Sequence, residues 1–455
     1  MKLSSALRLS LLSATVLVAS TVGAFARVTS VTTDHPNGVY ASGAEAVFKL
    51  VPDAQGFGSA PLTVKILRDN RSAVQTLTVT PDKAGEPIRF KPPADGWYFL
   101  SVSAEGEKKP LATTGVVFNP ESFKPSTPTP DEFGAFWAAQ KARLAASPAE
   151  TKLEPLTPSQ RALETQNADH LKNILNWEKQ GSTAVNLEIT CLDVQPLRAY
   201  YAKPQEPVQK GHPAILFFRA AGVEGGWCRS SLVNAMSYAN RFDALVVDLN
   251  AHGMLNGQPQ SYYDALAKGE LAGYQSQGKE SRDTFYFLGM FLRLQRAIDF
   301  LTKQPEWDGK NVICIGISQG GAQALAAAGL DSRVNVVIST VPGMCDIAGR
   351  AFGNTGGWPH VGEGSDAQTK LQIETVRYFD MVSFAARSKA ATLMTVGLVD
   401  TTCPPPGVYA AFNALKTEKR MTAVADKGHH ALSTWNAEQR IEQDAFIRAQ
   451  IDKTR

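Results

Sequence analysis

A serine hydroxyl attacks an ester carbonyl only when a base takes its proton, and this sequence has a place for such a hydroxyl. Residues 312 to 329 read VICIGISQGGAQALAAAG, which sets Ser318 in Gly316-Ile317-Ser318-Gln319-Gly320 between an apolar strand-like run and an Ala-rich, helix-like one. A tight strand-to-helix turn lifts the hydroxyl above a sheet, and small neighbours leave room for the strained backbone. The helix start that follows turns unpaired N–H groups toward developing negative charge. For the base, His429 and His430 stand in Asp426-Lys427-Gly428-His429-His430, after the strand-like run Met421 to Ala425. Two adjacent imidazoles cannot both face one hydroxyl. Gly428 favours a tight turn aiming His429 inward, so His429 is the expected base and His430 the alternative. The acid that orients the base belongs at the C-terminal end of an earlier strand. Asp400 closes Thr392 to Val399, and Cys403-Pro404-Pro405-Pro406 then stops the strand and opens a helix. Asp346 is the competing acid, and Asp248 precedes the Ser.

The elements needed to position these groups are legible as a change of texture along the chain. The runs Ala214 to Phe218, Ala244 to Val247, Val312 to Ile315, Val334 to Ile338 and Thr392 to Val396 are uniformly apolar, as in strands buried on both faces. Between them Phe287, Met290, Phe291, Leu294, Ile298 and Leu301 follow one helical face. Alternating strands and helices imply a mostly parallel sheet with helices on both faces, and the order Ser, acid, His is that of the α/β-hydrolase fold. Its oxyanion hole takes one N–H from the residue after the nucleophile, Gln319, and one from the loop after an earlier strand, here Arg219-Ala220-Ala221-Gly222-Val223-Glu224-Gly225-Gly226. From about residue 28 to 119 the period is two, as in Leu62 to Ile66 and Trp97 to Val102, with turn clusters between. This pattern reads as a small all-β immunoglobulin-like sandwich. The expected division is a signal peptide over 1–26, a sandwich over 27–120, a Pro-rich linker over 121–132 and an α/β-hydrolase domain over 133–455.

Composition excludes several classes. The chain has 455 residues, 44% hydrophobic and 20% charged, which suits a globular protein rather than a disordered one. Its first residues carry Lys2 and Arg8, an apolar run from Leu9 to Val22, and Ala24-Phe25-Ala26, the pattern of a cleaved secretory signal. A secreted or periplasmic location is expected, with no membrane association after signal removal. The net charge of +3 becomes +1 without Lys2 and Arg8, so no nucleic-acid partner is expected. Five cysteines in an oxidising compartment leave at least one unpaired; Cys314, in an apolar strand pattern, is the expected free thiol, with one or two disulfides open among Cys191, Cys228, Cys345 and Cys403. His252 and His360 are isolated, and no paired Cys ligands, H-E-x-x-H, G-x-G-x-x-G or P-loop occurs. No metal or cofactor is expected. Trp358, Tyr262, Tyr263 and Tyr274 lie in loops, where they pack or line a sugar site.

From Pro130 onward the chain resembles the acetyl xylan esterase and cephalosporin C deacetylase family, carbohydrate esterase family seven. The likeness rests on Pro130-Asp131-Glu132-Phe133 with Phe136-Trp137, on Gly222-Val223-Glu224-Gly225-Gly226 beside that family's G-Y-N-G-G, on Gly316 to Gly321 beside G-x-S-Q-G-G, on Asp400 with Cys403-Pro404-Pro405 beside D-x-x-C-P-P, and on Gly428-His429 beside G-H-E. The resemblance implies Val223 as the second oxyanion donor. It also implies a serine esterase that releases acetate from acetylated oligo- or polysaccharide, or another small acetyl ester, through an acyl-enzyme. The family's R-G-Q-G appears here as Asn250-Ala251-His252-Gly253, and its Glu after the catalytic His is His430. A serine peptidase or general short-chain acyl hydrolase, and an inactive carbohydrate-binding protein, are the alternatives.

Overall fold

The computed structural model describes residues 26–104, 107–192, 194–362, 364–433 and 437–454. The segment read as a secretory signal lies, up to residue 25, outside the described residues. The uniformly apolar runs form the centre of a nine-stranded sheet. Its spatial order is Lys419–Val424, Ala391–Gly397, Val336–Thr340, Trp307–Ile317, His212–Phe218, Leu245–Leu249, Val194–Pro204, Ser182–Cys191 and Thr151–Glu154. The first six run parallel, and the last three add antiparallel neighbours at one edge.

The apolar runs conceal a period of two. Leu216, Cys314, Val337 and Met394 pack into the core on one face of the sheet, while Ile215, Ile313, Ile315, Val336, Ile338 and Leu393 pack into the other. A strand covered on both faces has no polar side, so the alternation shows only in space. The helix Phe287–Thr302 covers the first face with almost every residue buried, and the helix Leu232–Phe242 covers the second.

Residues 30–118 form two smaller sheets. One is Ser30–Thr33, Ala46–Val51 and Ile88–Phe90; the other, in order, is Val39–Tyr40, Ala112–Phe118, Gly96–Ala104, Leu62–Arg68 and Ser72–Val79. They enclose a separate core that includes Phe48, Val64, Tyr98 and Phe118. The Pro-rich segment after them is tied to the large unit: the Ser126 N–H and hydroxyl donate to Asp346 at 2.8 and 2.7 Å, and the Pro128 carbonyl accepts from Arg377.

All five cysteines are free and buried; the disulfides left open by the sequence do not occur. Cys191, Cys314, Cys345 and Cys403 lie in one apolar core and Cys228 is fully buried, so they act as small core residues.

Candidate active site

Ser318 sits between the strand Trp307–Ile317 and the helix Gln319–Leu330 at φ 58° and ψ −120°, a conformation rarely taken by a residue with a Cβ. Neighbouring residues hold it there. The Ser318 N–H donates to the Thr340 carbonyl at 2.9 Å, and the Ser318 carbonyl accepts from Gly343 and Ala322, each at 3.0 Å. The flanking glycines are needed for close approach: a Cβ on Gly316 would lie 2.0 Å from the Gly320 oxygen, and one on Gly320 2.2 Å from the Phe218 oxygen.

The His expected to be the base meets this hydroxyl. Ser318 Oγ and His429 Nε2 are 2.9 Å apart, and His429 Nδ1 lies 2.7 Å from Asp400 Oδ2. The other Asp400 oxygen accepts the N–H groups of Thr402 and Cys403, both at 2.8 Å, which fixes the carboxylate plane. Asp400 is fully buried. A proton on Nδ1, shared with the carboxylate, leaves Nε2 with a lone pair toward the hydroxyl. His430 lines the same cavity without taking that place. Asp346 is turned to Ser126, and Asp248 receives Arg219, Asn234 Nδ2 and the Ser231 N–H at the root of the 219–226 loop.

Gln319 opens its helix, so its N–H has no acceptor within that helix. Val223 is buried in the loop after the strand His212–Phe218. A polar network unseen in the sequence joins Gln319 to Gly222, the residue before Val223. The Tyr274 hydroxyl donates to Gln319 Oε1 at 2.7 Å and accepts from the Gly222 N–H at 3.3 Å. His252 Nε2 is 2.9 Å from the Gly222 carbonyl and its Nδ1 is 2.8 Å from the Tyr286 hydroxyl, so Nε2–H donates and Nδ1 accepts. Burial, helped by nearby Arg293, pushes His252 down to about 3, which keeps that ring neutral. His252 looked isolated because its partners lie 30 and 34 residues away. Its place just after a buried strand, where the resembled family has R-G-Q-G, was the available signal.

The hydroxyl opens into a cavity of about 510 Å³ lined by Ser318, His429, His430, Ala220, Ala221, Trp227, Trp358 and their neighbours. Trp358 borders the apolar core, edge-on to Phe287. Trp227 is 66% exposed, an uncommon position for so large an apolar ring. Tyr263 is instead buried, with its hydroxyl on the Leu255 carbonyl.

A ligand atom from each of Asp400, Cys403 and His429 lies within 4.8 Å of the others. Burial, with the Asp400 charge beside it, pushes the Cys403 thiol well above its ordinary value. Asp400 bonds to His429 and accepts the Cys403 backbone N–H, so the closeness of these three follows from the Ser–His–Asp arrangement.

Comparison with known proteins gives a consistent answer. Residues 119–445 match the family model described as acetyl xylan esterase (AXE1). The chain is 28% identical over 348 residues to the acetyl esterase Axe7A of Xylanibacter ruminicola, covering 76% of this chain and 73% of that protein. Among solved structures, an acetyl xylan esterase from Paenibacillus sp. R4 superposes with a TM-score of 0.57 at 24% identity, covering 72% of this chain and 98% of that one. Acetyl xylan esterase 1 from Thermoanaerobacterium sp. JW/SL YS485 superposes with a TM-score of 0.56 at 20% identity, covering 72% and 97%. These two structures share the fold. With the family model matched over most of its length, the chain belongs to the acetyl xylan esterase family and is a carboxylic ester hydrolase of the α/β-hydrolase fold.

Proposed function

We propose that this chain is an exported serine esterase that removes acetyl groups from acetylated carbohydrate through an acyl-enzyme on Ser318. The observation that carries the reading is the unbroken run of short contacts from Ser318 Oγ to His429 Nε2, 2.9 Å, and from His429 Nδ1 to Asp400, 2.7 Å. His429 takes the Ser318 proton as the oxygen attacks the acetyl carbonyl, and Asp400 steadies the imidazolium that forms. The amides of Gln319 and Val223 hold the oxyanion. The imidazolium then returns its proton to the departing sugar oxygen. Water attacks the acetyl-enzyme with His429 again as base, and acetate leaves.

Family membership favours an acetylated saccharide as substrate, and the exposed Trp227 ring beside the nucleophile gives a flat surface on which a sugar could rest. Export rests on the first 26 residues, and among the described residues no helix is long and apolar enough to cross a membrane. N-terminal sequencing of the mature protein tests it.

The mechanism is tested with Ser318→Ala. Acetate release from acetylated xylan and from small acetylated sugars is expected to fall at least about 10,000-fold, together with loss of labelling by a fluorophosphonate. Wild-type turnover by Ser318→Ala would sink the assignment. Butyryl or peptide esters cleaved as fast as acetyl esters would instead point to a broader acyl hydrolase with the same three residues.

A further inference from the structure

Asp400 and His429 are not in strands: Asp400 follows a short turn beyond one, and His429 opens the helix His429–Ser433 after the four residues 425–428 beyond another. The strand Ala391–Gly397 is followed by Leu398, two residues before Asp400, and the strand Lys419–Val424 by Ala425, four before His429. The five-stranded front sheet grips both of these first residues. Trp97 Nε1 donates to the Leu398 carbonyl at 2.8 Å in a buried setting. The Gly115 N–H donates to the Ala425 carbonyl at 2.7 Å.

The fit leaves no slack. A Cβ on Gly115 would lie 1.9 Å from the Leu398 oxygen, and one on Gly38 would lie 2.7 Å from Leu398 Cδ1 and 3.1 Å from Ala425 Cβ. Along the front strands Trp97 and Val117 belong to the core of the large unit, while their neighbours Tyr98 and Val116 belong to the front core. The period of two in these strands therefore has a use on both faces. On the far side, the Leu398 N–H donates to Val424 and the Val399 N–H to Lys427, so the two turns are also joined to each other.

We propose that Trp97 and Gly115 are positioning residues: through them the front sheet clamps the turns that carry the acid and the base, and so keeps His429 in line between Asp400 and Ser318. The inference rests on the triad reading above. Its physical basis is that proton transfer tolerates little displacement, with an error of about 1 Å costing on the order of 100-fold. Each turn is short and anchored at its first residue, so a shift at Leu398 or Ala425 passes directly to the side chain that follows.

The test uses the full-length protein with Trp97→Phe, which keeps a ring but removes the donor, and Gly115→Ala, whose methyl meets the Leu398 oxygen. Assayed on 4-nitrophenyl acetate well below the unfolding temperature, both are expected to lose about 10- to 100-fold in kcat while KM changes less than about threefold. Val74→Ala, on the exposed outer strand of the same sheet, is the control and should leave both unchanged. If Gly115→Ala does not fold, Trp97→Phe decides. Wild-type kcat in Trp97→Phe, even with a lower melting temperature, would overturn the proposal, as would a loss confined to KM. An active Ser318→Ala protein would mean that the triad reading has failed; an inactive one beside fully active Trp97→Phe and Gly115→Ala proteins would mean that only the clamp has.

Discussion

Ser318 is held in a backbone conformation that costs on the order of 1 to 3 kcal/mol, and the three backbone hydrogen bonds around it are what keep it there. Two small neighbours, Gly316 and Gly320, make the bend possible, and this much is local enough to be read along the chain. Trp227 is the opposite case. Its indole N–H donates to the Ala221 carbonyl at 3.0 Å and its ring covers Gly225, where a Cβ would lie 2.5 Å from ring carbons. The ring is thus fixed edge and face while staying 66% exposed in the cavity that Ser318 lines. Trp227→Ala is expected to lower the ratio of kcat/KM for acetylated xylo-oligosaccharide to that for ethyl acetate by about 3- to 10-fold, the scale of one aromatic contact. Trp227→Phe should restore most of it. A ratio unchanged in Trp227→Ala would remove the ring from sugar recognition, and taking a ratio cancels any shift of the loop that affects both substrates alike.

Three elements that are distant in sequence meet at the proposed oxyanion site: the helix Gln319–Leu330, the loop at 219–226, and the short helical turn Tyr274–Ser276. The Tyr274 hydroxyl ties the first two together by touching both Gln319 and Gly222. Tyr274→Phe leaves the ring in its apolar surroundings and removes only the tie, stranding a buried amide oxygen and a backbone N–H. A loss of about 10- to 100-fold in kcat, with little change in KM, is expected in steady-state kinetics on acetyl esters, less than removal of a whole oxyanion donor. Unchanged kcat would show that the two donors are set independently of this hydroxyl. No local pattern marked Tyr274, since an aromatic in a loop reads the same whether it packs, lines a cavity or bridges two loops.

For the whole molecule, buried titratable groups couple the fold to pH. His252 binds its proton in the unfolded chain near pH 6.5 but in the folded protein only near 3, so the unfolded state holds more protons between those values and stability falls as pH drops through that window. Between pH 7 and pH 5 this group alone removes about 2 kcal/mol. Asp380 acts in the opposite sense: burial, with Asp346 beside it, raises it to about 7, and its contribution is present at low pH and lost as pH rises toward neutrality. The difference between proteins isolates His252. His252→Gln keeps a donor for the Gly222 carbonyl and does not titrate, so urea unfolding should show a loss between pH 7 and pH 5 smaller by about 2 kcal/mol than in wild type. Equal losses in the two proteins would mean that His252 is not held neutral.

What the sequence determined by itself was whatever is encoded by near neighbours. The bend around Ser318, the strands buried on both faces, and the chain order Ser318, Asp400, His429 are of this kind, because strand, turn and helix are set by spacings of a few residues. The preceding glycine only weighted His429 over His430, and it is His429 that the tertiary structure brings to 2.9 Å from Ser318. The network of His252, Tyr274 and Gly222, the exposure of Trp227, the unpaired state of the four cysteines other than Cys314 and the grip of Trp97 on Leu398 were decided by tertiary structure alone. Trp97 and Leu398 are 301 residues apart, and an indole N–H names no partner until the chain has folded and placed one carbonyl oxygen within its reach.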